Sequence, residues 1–222
     1  MDVNGDFNQR VLLHTDEIDW EDSPMVGVTR RRLDRVNRAE DRVTTIVRYA
    51  PGSHFSSHIH TGGEELLILD GVFEDDYGHW PAGSYIRNPP TSSHTPGSEP
   101  GCTLFVKLCQ FDPDDRTFVH ADINKLGATP DRNRPGVSIS PLYKDSREEV
   151  RVEQWDSGAT IELDARGGAE VFILEGECSE SGDQLRQHSW LRVPTGTTLS
   201  LSTGDQGARA WIKTGHLSGL AI

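Results

Sequence analysis

The stretch Gly62-Gly63-Glu64-Glu65-Leu66-Leu67-Ile68-Leu69-Asp70-Gly71 returns further along the chain as Gly167-Gly168-Ala169-Glu170-Val171-Phe172-Ile173-Leu174-Glu175-Gly176. Each copy is a short apolar run closed at both ends by glycine turns, the pattern of a strand buried on both faces. Without a gap, the same offset lays Tyr85-Ile86-Arg87-Asn88-Pro89 over Trp190-Leu191-Arg192-Val193-Pro194. A slightly different offset lays Gly27-Val28 and Leu33 over Gly136-Val137 and Leu142. Agreement at several separate places at nearly one spacing marks a duplicated unit. The sequence therefore predicts an all-β chain made of two copies of one barrel, residues 1–112 and 113–222, joined by the polar stretch 112–134 with its Pro113 and Pro130. Strands are expected at Thr44–Tyr49, Leu66–Leu69 and Leu104–Leu108, set apart by Pro51-Gly52, Gly62-Gly63, Asp70-Gly71, Pro89-Pro90 and Pro100-Gly101. The two barrels are expected to pair within the chain, which would cover sheet edges and outer apolar faces.

Composition narrows the function. A formal net charge of -13 argues against a nucleic-acid partner, whose binding rests on many Lys and Arg contacts. The run Arg30-Arg31-Arg32, followed by Leu33, Asp34 and Arg35, is the one basic cluster and reads as a solvated strand face rather than an anion site. No apolar stretch approaches the roughly 20 residues that span a bilayer, and none follows a basic N-terminus. The expectation is a soluble, unexported, cytoplasmic protein with no membrane partner. Cys102, Cys109 and Cys178 are odd in number and lack Cys-x-x-Cys spacing, so neither a disulfide framework nor a zinc ribbon is indicated.

The chemistry gathers in the first copy. His58 and His60 lie two apart in an extended segment, so both imidazoles project from one face. Gly62-Gly63 then allow a tight turn that returns the Glu64 carboxylate toward them, and His94 follows the rigid Asn88-Pro89-Pro90 corner. Three imidazoles and one carboxylate suit one divalent transition metal, Fe, Mn, Ni or Zn, better than soft copper(I) or hard calcium. On a metal that prefers six ligands, two positions would stay open for water or substrate. Glu65 is the competing carboxylate. It is expected to serve structure by pairing with Arg87, because Glu170 and Arg192 keep both partners in the second copy. With His54, these two are the candidates to support the ligands from outside. His54 and His79 otherwise read as surface or loop residues. Lys107 reads as a cation reaching out at a barrel mouth, and Cys102 and Cys109 as packing groups. Tyr49, Phe55, Phe73, Tyr85 and Phe105 are the aromatics able to line a cavity.

The spacing Gly52-x5-His58-x-His60-x3-Glu64-x6-Gly71 resembles the first cupin motif throughout. Gly83-x5-Pro89 with His94 is similar to the second, with Thr91 where the family has glycine and Ser98 where it has asparagine. The resemblance implies a cupin barrel with His58, His60, Glu64 and His94 as metal ligands. A narrower resemblance is to the cupin domain of ChrR-type anti-ECF-sigma factors and their enzyme relatives. It is carried by Arg48-Tyr49-Ala50-Pro51-Gly52-Ser53, Gly62-Gly63-Glu64-Glu65, Pro81-Ala82-Gly83-Ser84-Tyr85 and Arg87-Asn88-Pro89-Pro90. It covers residues 25–110 well and the second half faintly. In those regulators a helical zinc domain with a His-x3-Cys-x2-Cys pattern grips the sigma factor, and that pattern does not occur here. In the second copy the ligand positions are Leu163, Ala165, Ala169 and Leu199, so that barrel is expected to be degenerate and metal-free.

Two functions follow as expectations. One is a metal-dependent dioxygenase on a small oxygenated compound such as a β-diketone or hydroxylated ketone. The other is a zinc- or ligand-responsive regulatory cupin that acts through a protein partner. A homo-oligomer is compatible with either.

Overall fold

The computed structural model describes residues 2–36 and 42–220. Among these residues the only helix is a single 3-10 turn, Thr15–Glu17, and the remaining regular structure is antiparallel strand. No helix is long and apolar enough to cross a membrane. The chain forms two compact units: Met1–Gly5 with Ile18–Lys125, and Asp6–Glu17 with Leu126–Ile222.

In the first unit the main sheet runs, neighbour to neighbour, through Val119–Asp122, Ser84–Asn88, Glu64–Asp75, Cys102–Leu108, Arg42–Tyr49, Val28–Val36 and Glu21–Asp22. The far half of Glu64–Asp75 bends away to pair with Gly78–Pro81 and Gly97–Ser98, and a separate two-stranded ladder joins His58–Ile59 to Ser93–His94. The second unit repeats the order: Val11–His14, Ser189–Val193, Ala169–Glu180, Thr197–Thr214, Glu149–Trp155, Val137–Lys144 and Thr129–Pro130. The duplication read from the glycine-bounded segments is thus a duplication of topology. The matching glycines explain why those segments stand out. Gly71 and Gly176 both sit at φ 73°, and a Cβ there would come within 2.0 Å of the Gly101 oxygen and 2.2 Å of the Gly207 oxygen.

The division of the chain differs from the boundary expected at residue 112. Val119–Asp122 lies inside the expected linker yet adds a strand to the first unit at Ser84–Asn88, and Thr129–Pro130 adds one to the second. Conversely, Val11–His14 pairs in full register with Ser189–Val193, so the N-terminal segment completes the second unit. The physical reason is an equivalence: Ser84–Asn88 and Ser189–Val193 are matching edges, and each takes one short strand from the other side of its own barrel sequence. The Phe7 ring and the Asp6 carbonyl lock the segment in place. The Arg192 guanidinium lies 4.1 Å above that ring and donates to that carbonyl at 3.0 Å. Arg87 repeats the arrangement over Phe111 at 3.9 Å, with Asp115 as its ion-pair partner.

Strand alternation sorts the first unit into two faces. Inward, Leu66, Ile68, Leu104, Val106 and Val28 form the core with Tyr49 and Phe73. Outward, Leu67, Ile46, Phe105 and Tyr85 are buried together with a set of polar groups. Lys107 belongs to that set, which corrects the expected mouth position: it is fully buried and its Nζ donates to Thr44 Oγ1 at 3.0 Å. Tyr85 and Phe105 therefore do not line the cavity. In the second unit, Leu163, Ala165, Ala169 and Leu199 are packed in the main apolar cluster. Leu163 faces Leu199 in register, as His58 faces His94 in the first. Burying each of those leucines favours folding by about 2 kcal/mol.

The Arg87–Asp115 pair sets a pH signature. Burial raises the Asp115 carboxyl, but the Arg87 guanidinium and the Thr117 amide outweigh it and hold it below the ordinary value. Because the folded state lowers this pKa, the pair stabilises the fold above the unfolded carboxyl value and loses that contribution as pH falls through the depressed one. Asp115→Asn is expected to cost about 3 kcal/mol at neutral pH, with the gap to wild type narrowing in acid. Urea midpoints measured across that range check it, and a gap independent of pH would count against the pair.

Candidate metal centre

His58, His60, Glu64 and His94 come together on the inner wall of the first unit. Their ligand atoms all lie within 4.8 Å of one another. The His60 and His94 Nε2 atoms are 3.2 Å apart, and each approaches Glu64 Oε2, at 3.2 and 3.4 Å. Adjacent donors around an ion with bonds of about 2.1 Å stand about 3.0 Å apart in an octahedron and about 3.4 Å in a tetrahedron. The observed spacing falls between the two. His60, Glu64 and His94 are buried, while His58 is exposed at the mouth.

What aims these nitrogens lies behind them. The Ser92 hydroxyl donates to the Pro89 carbonyl at 2.6 Å, so its oxygen is the acceptor for His60 Nδ1–H at 2.9 Å. His94 Nδ1–H meets Asp75 Oδ2 at 3.2 Å, and His58 Nδ1–H meets the Ser56 carbonyl at 3.2 Å. Each outer nitrogen thus has an acceptor, which fixes the tautomer with the lone pair on Nε2. Lone pairs on two Nε2 atoms 3.2 Å apart repel unless a cation or a proton lies between them, so the residues present fit a metal ion. Asn88 Nδ2 also reaches Glu64 Oε2, at 3.4 Å.

The protonation tendencies agree. Burial raises the Glu64 carboxyl, but the hydrogen bond and charge of His60, with His94 and His58, bring it below the ordinary value. Burial lowers His94, and Asp75 with Glu64 more than reverses that, leaving it raised. Without a metal, a proton on His94 beside the Glu64 carboxylate takes the cation's role.

Asp75 is the supporting residue that sequence reasoning missed. It ends the strand Glu64–Asp75, where the Tyr77 amide and the Trp80 indole hold its Oδ1, both at 2.9 Å. The residues expected in that role lie elsewhere. Glu65 and Arg87 face each other in register, but on the sheet face opposite Glu64, where Glu65 accepts a 2.6 Å hydrogen bond from the Tyr85 hydroxyl. His54 is exposed and bonds to Glu99 at 3.2 Å. His79 is exposed and bonds to Glu74. Cys102 is buried, which pushes its thiol up to about 11.

The cavity lined by His58, His60 and Glu64 has a volume of about 470 Å³. Tyr49, Phe55 and Phe73 form its aromatic end, with Tyr49 5.4 Å from Phe55 and 6.1 Å from Phe73 between ring centres. Burial and the Glu64 charge push the Tyr49 phenol well above its ordinary value, so it stays protonated. The opposite wall corrects the expectation of a solvated basic strand: Arg30, Arg32 and Arg35 line the same cavity. A bulge between Arg32 and Asp34 turns Arg35 onto the face shared by Arg30 and Arg32. Arg31 points the other way, 4.2 Å over the Trp20 ring.

Thr91 stands where the motif has glycine and nevertheless adopts φ 75°. Its counterpart, Gly196, sits at φ 80°. The Thr91 amide donates to the His60 carbonyl at 2.8 Å, so the turn that positions His60 is held in a conformation costly for a β-branched residue.

A duplicated antiparallel barrel with this set on the inner wall of one copy defines a two-barrel cupin. Residues 8–112 match the ChrR cupin-like domain family. No curated protein sequence matches it. Among solved structures, a putative dioxygenase from Nostoc punctiforme superposes with a TM-score of 0.80 at 15% identity, over 96% of this chain and 85% of the other. The pirin YhhW from Escherichia coli, in complex with nickel(II), gives 0.66 at 12% identity over 93% and 99%. Quercetin 2,3-dioxygenase from Acinetobacter baumannii gives 0.60 at 12% identity over 93% and 78%. At such identities the likeness establishes the cupin fold.

Two substitutions separate aim from strain. Asp75→Asn is expected to weaken metal binding by about tenfold or more, read by competition with a chromogenic chelator. Unchanged affinity would remove Asp75 from the site. Thr91→Gly is expected to stabilise the chain by about 1 kcal/mol, read from the thermal midpoint, and a loss of stability would contradict the strain.

Proposed function

We propose that the first barrel is a mononuclear metal enzyme of the dioxygenase type acting on a small oxygenated compound. The observation that carries the reading is the convergence of three imidazole lone pairs and one carboxylate on a point that opens into a cavity of about 470 Å³. His58, His60, Glu64 and His94 would hold one divalent ion, iron, manganese, nickel or zinc. Bound there, such an ion would supply Lewis acidity and, if redox-active, a site for dioxygen beside the substrate. The protein's own part is positioning. Asp75, Ser92 and the Ser56 carbonyl keep the imidazoles aimed. Phe55 and Phe73 keep water from one side, and the protonated Tyr49 hydroxyl can donate a hydrogen bond to a substrate oxygen. Neighbours that include a putative dioxygenase and a quercetin 2,3-dioxygenase support this class.

The match of residues 8–112 to the ChrR cupin-like domain favours a second reading, a zinc cupin that senses a ligand and passes the change to a protein partner. It needs the ion and the cavity but no turnover.

Chain purified without chelator is expected to hold close to one equivalent of transition metal and, loaded with Fe(II), to consume oxygen with a β-diketone or hydroxylated ketone. Occupancy should fall as pH drops below about 6.5, where protons compete for the imidazoles. Zinc without oxygen uptake, alongside a partner retained on the column, would transfer the assignment to the sensor. Metal retained undiminished in strong acid would contradict the histidine ligands.

A further inference from the structure

Three arginines, Arg30, Arg32 and Arg35, line the cavity, and Arg30 is the one whose charge the described residues leave without a carboxylate. Arg32 pairs with Glu21 at 2.8 Å, a carboxylate that is half exposed. Arg30 donates only to a hydroxyl, Ser23 Oγ at 3.0 Å, and has no carboxylate within ion-pair distance among the described residues. Burial and the charges of Arg32 and Arg35 all lower the Arg30 guanidinium from its ordinary value, with Glu21 offsetting part of the effect. Among the described residues the carboxylate on the cavity wall is Glu64, which is turned toward the imidazoles of His60 and His94.

The sheet register relates this basic wall to the metal-binding corner. Arg35 stands opposite Val43, Val43 opposite Leu108, and Leu108 opposite Glu64. Arg32, Thr45, Val106 and Leu66 form the next rung, and Arg30, Val47, Leu104 and Ile68 the one after. Three strand spacings separate Arg35 from Glu64, about 14 Å measured along the sheet. Between the two ends the wall is mostly apolar: Val43, Val47, Leu66, Leu104 and Val106. A volume of about 470 Å³ is within the roughly 300–1,000 Å³ typical of small-molecule sites.

We propose that the first barrel takes a small organic acid whose carboxylate is held by Arg30, Arg32 and Arg35 while its opposite, oxygen-bearing end faces His58, His60, Glu64 and His94. The planar guanidinium fork matches a carboxylate through paired N–H donors, and Arg30 has donors to spare. The apolar rungs accommodate a short hydrocarbon link between the charged and the oxygenated ends. The oxygenated end rests on the metal reading given above, whereas the carboxylate end does not need it.

The test is calorimetric titration of the full chain, its metal content assayed beforehand, with 4-oxopentanoate, the methyl ester of that acid, and inorganic phosphate. The acid is expected to bind, and its uncharged ester to bind at least about tenfold more weakly. Arg30→Gln should weaken the acid by about tenfold or more, and Arg30→Lys by less, with metal content and thermal midpoint as in wild type. The inference is overturned if the ester binds as well as the acid, if Arg30→Gln changes nothing, if phosphate binds more tightly than the carboxylate, or if 4-oxopentanoate does not bind at millimolar concentration. The two readings fail separately. Chain that binds the acid through Arg30 yet takes up no iron or zinc when these are supplied would keep the anion wall and refute the metal reading. Metal-loaded chain indifferent to the acid would do the reverse.

Discussion

Three imidazole nitrogens whose lone pairs are directed at one point form an arrangement that repels itself, and much of the first barrel is organised to hold it. The Nδ1 atoms of His58, His60 and His94 are fixed by an acceptor each: a main-chain carbonyl, a serine oxygen whose own proton is committed elsewhere, and a carboxylate clamped by an amide and an indole. Reorienting the buried His60 or His94 ring would leave its acceptor unmet in a poorly hydrated place, which costs about 1–3 kcal/mol. A bound cation converts the repulsion into ligation. The second barrel shows the alternative solution, with leucine and alanine at the four positions and an apolar core in their place.

The local chain path follows from the same requirement. In the first barrel the strands that carry His58 and His94 are short and interrupted, His58–Ile59 and Ser93–His94, with Pro96 close behind. At the corresponding stretch of the second barrel, Leu201 replaces Pro96 and the strand runs unbroken through Thr197–Thr214. Proline cannot donate to a ladder, so the chain leaves the sheet there and opens a mouth beside His58. The packed barrel needs no mouth and keeps its ladder. Thr91, held at a positive φ beside His60, belongs to the same economy of local irregularity around the site.

Much of this was legible in the sequence because it depends on short-range chemistry. Glycines that only a close backbone approach explains, such as Gly71 and Gly176, mark the duplication, and two histidines two residues apart mark a common face. Alternation assigns residues to faces but does not say which face is inside, and a row of arginines is ordinarily read as outside. That is why Arg30, Arg32 and Arg35 were expected in solvent, and why a bulge at Leu33 that brings Arg35 into line left no trace. Lys107 failed for the complementary reason: its burial depends on the strand bearing Thr44, which is far away in sequence. Asp75 meets His94 only once the bend of Glu64–Asp75 exists, so no spacing rule reaches it.

The path of the N-terminus carries a consequence for how the protein is made. Val11–His14 leaves the ribosome well before its partner, Ser189–Val193, is made. The second barrel therefore closes on a strand that has waited while the whole first barrel was made, a contact of very high sequence separation and correspondingly slow to form. Until then Phe7, Leu12 and Leu13 lack their native surroundings, while the first barrel already has Val119–Asp122 along its matching edge. A cut at residue 112 would take that strand from one barrel and leave the other's on the wrong fragment, so neither fragment is a finished barrel.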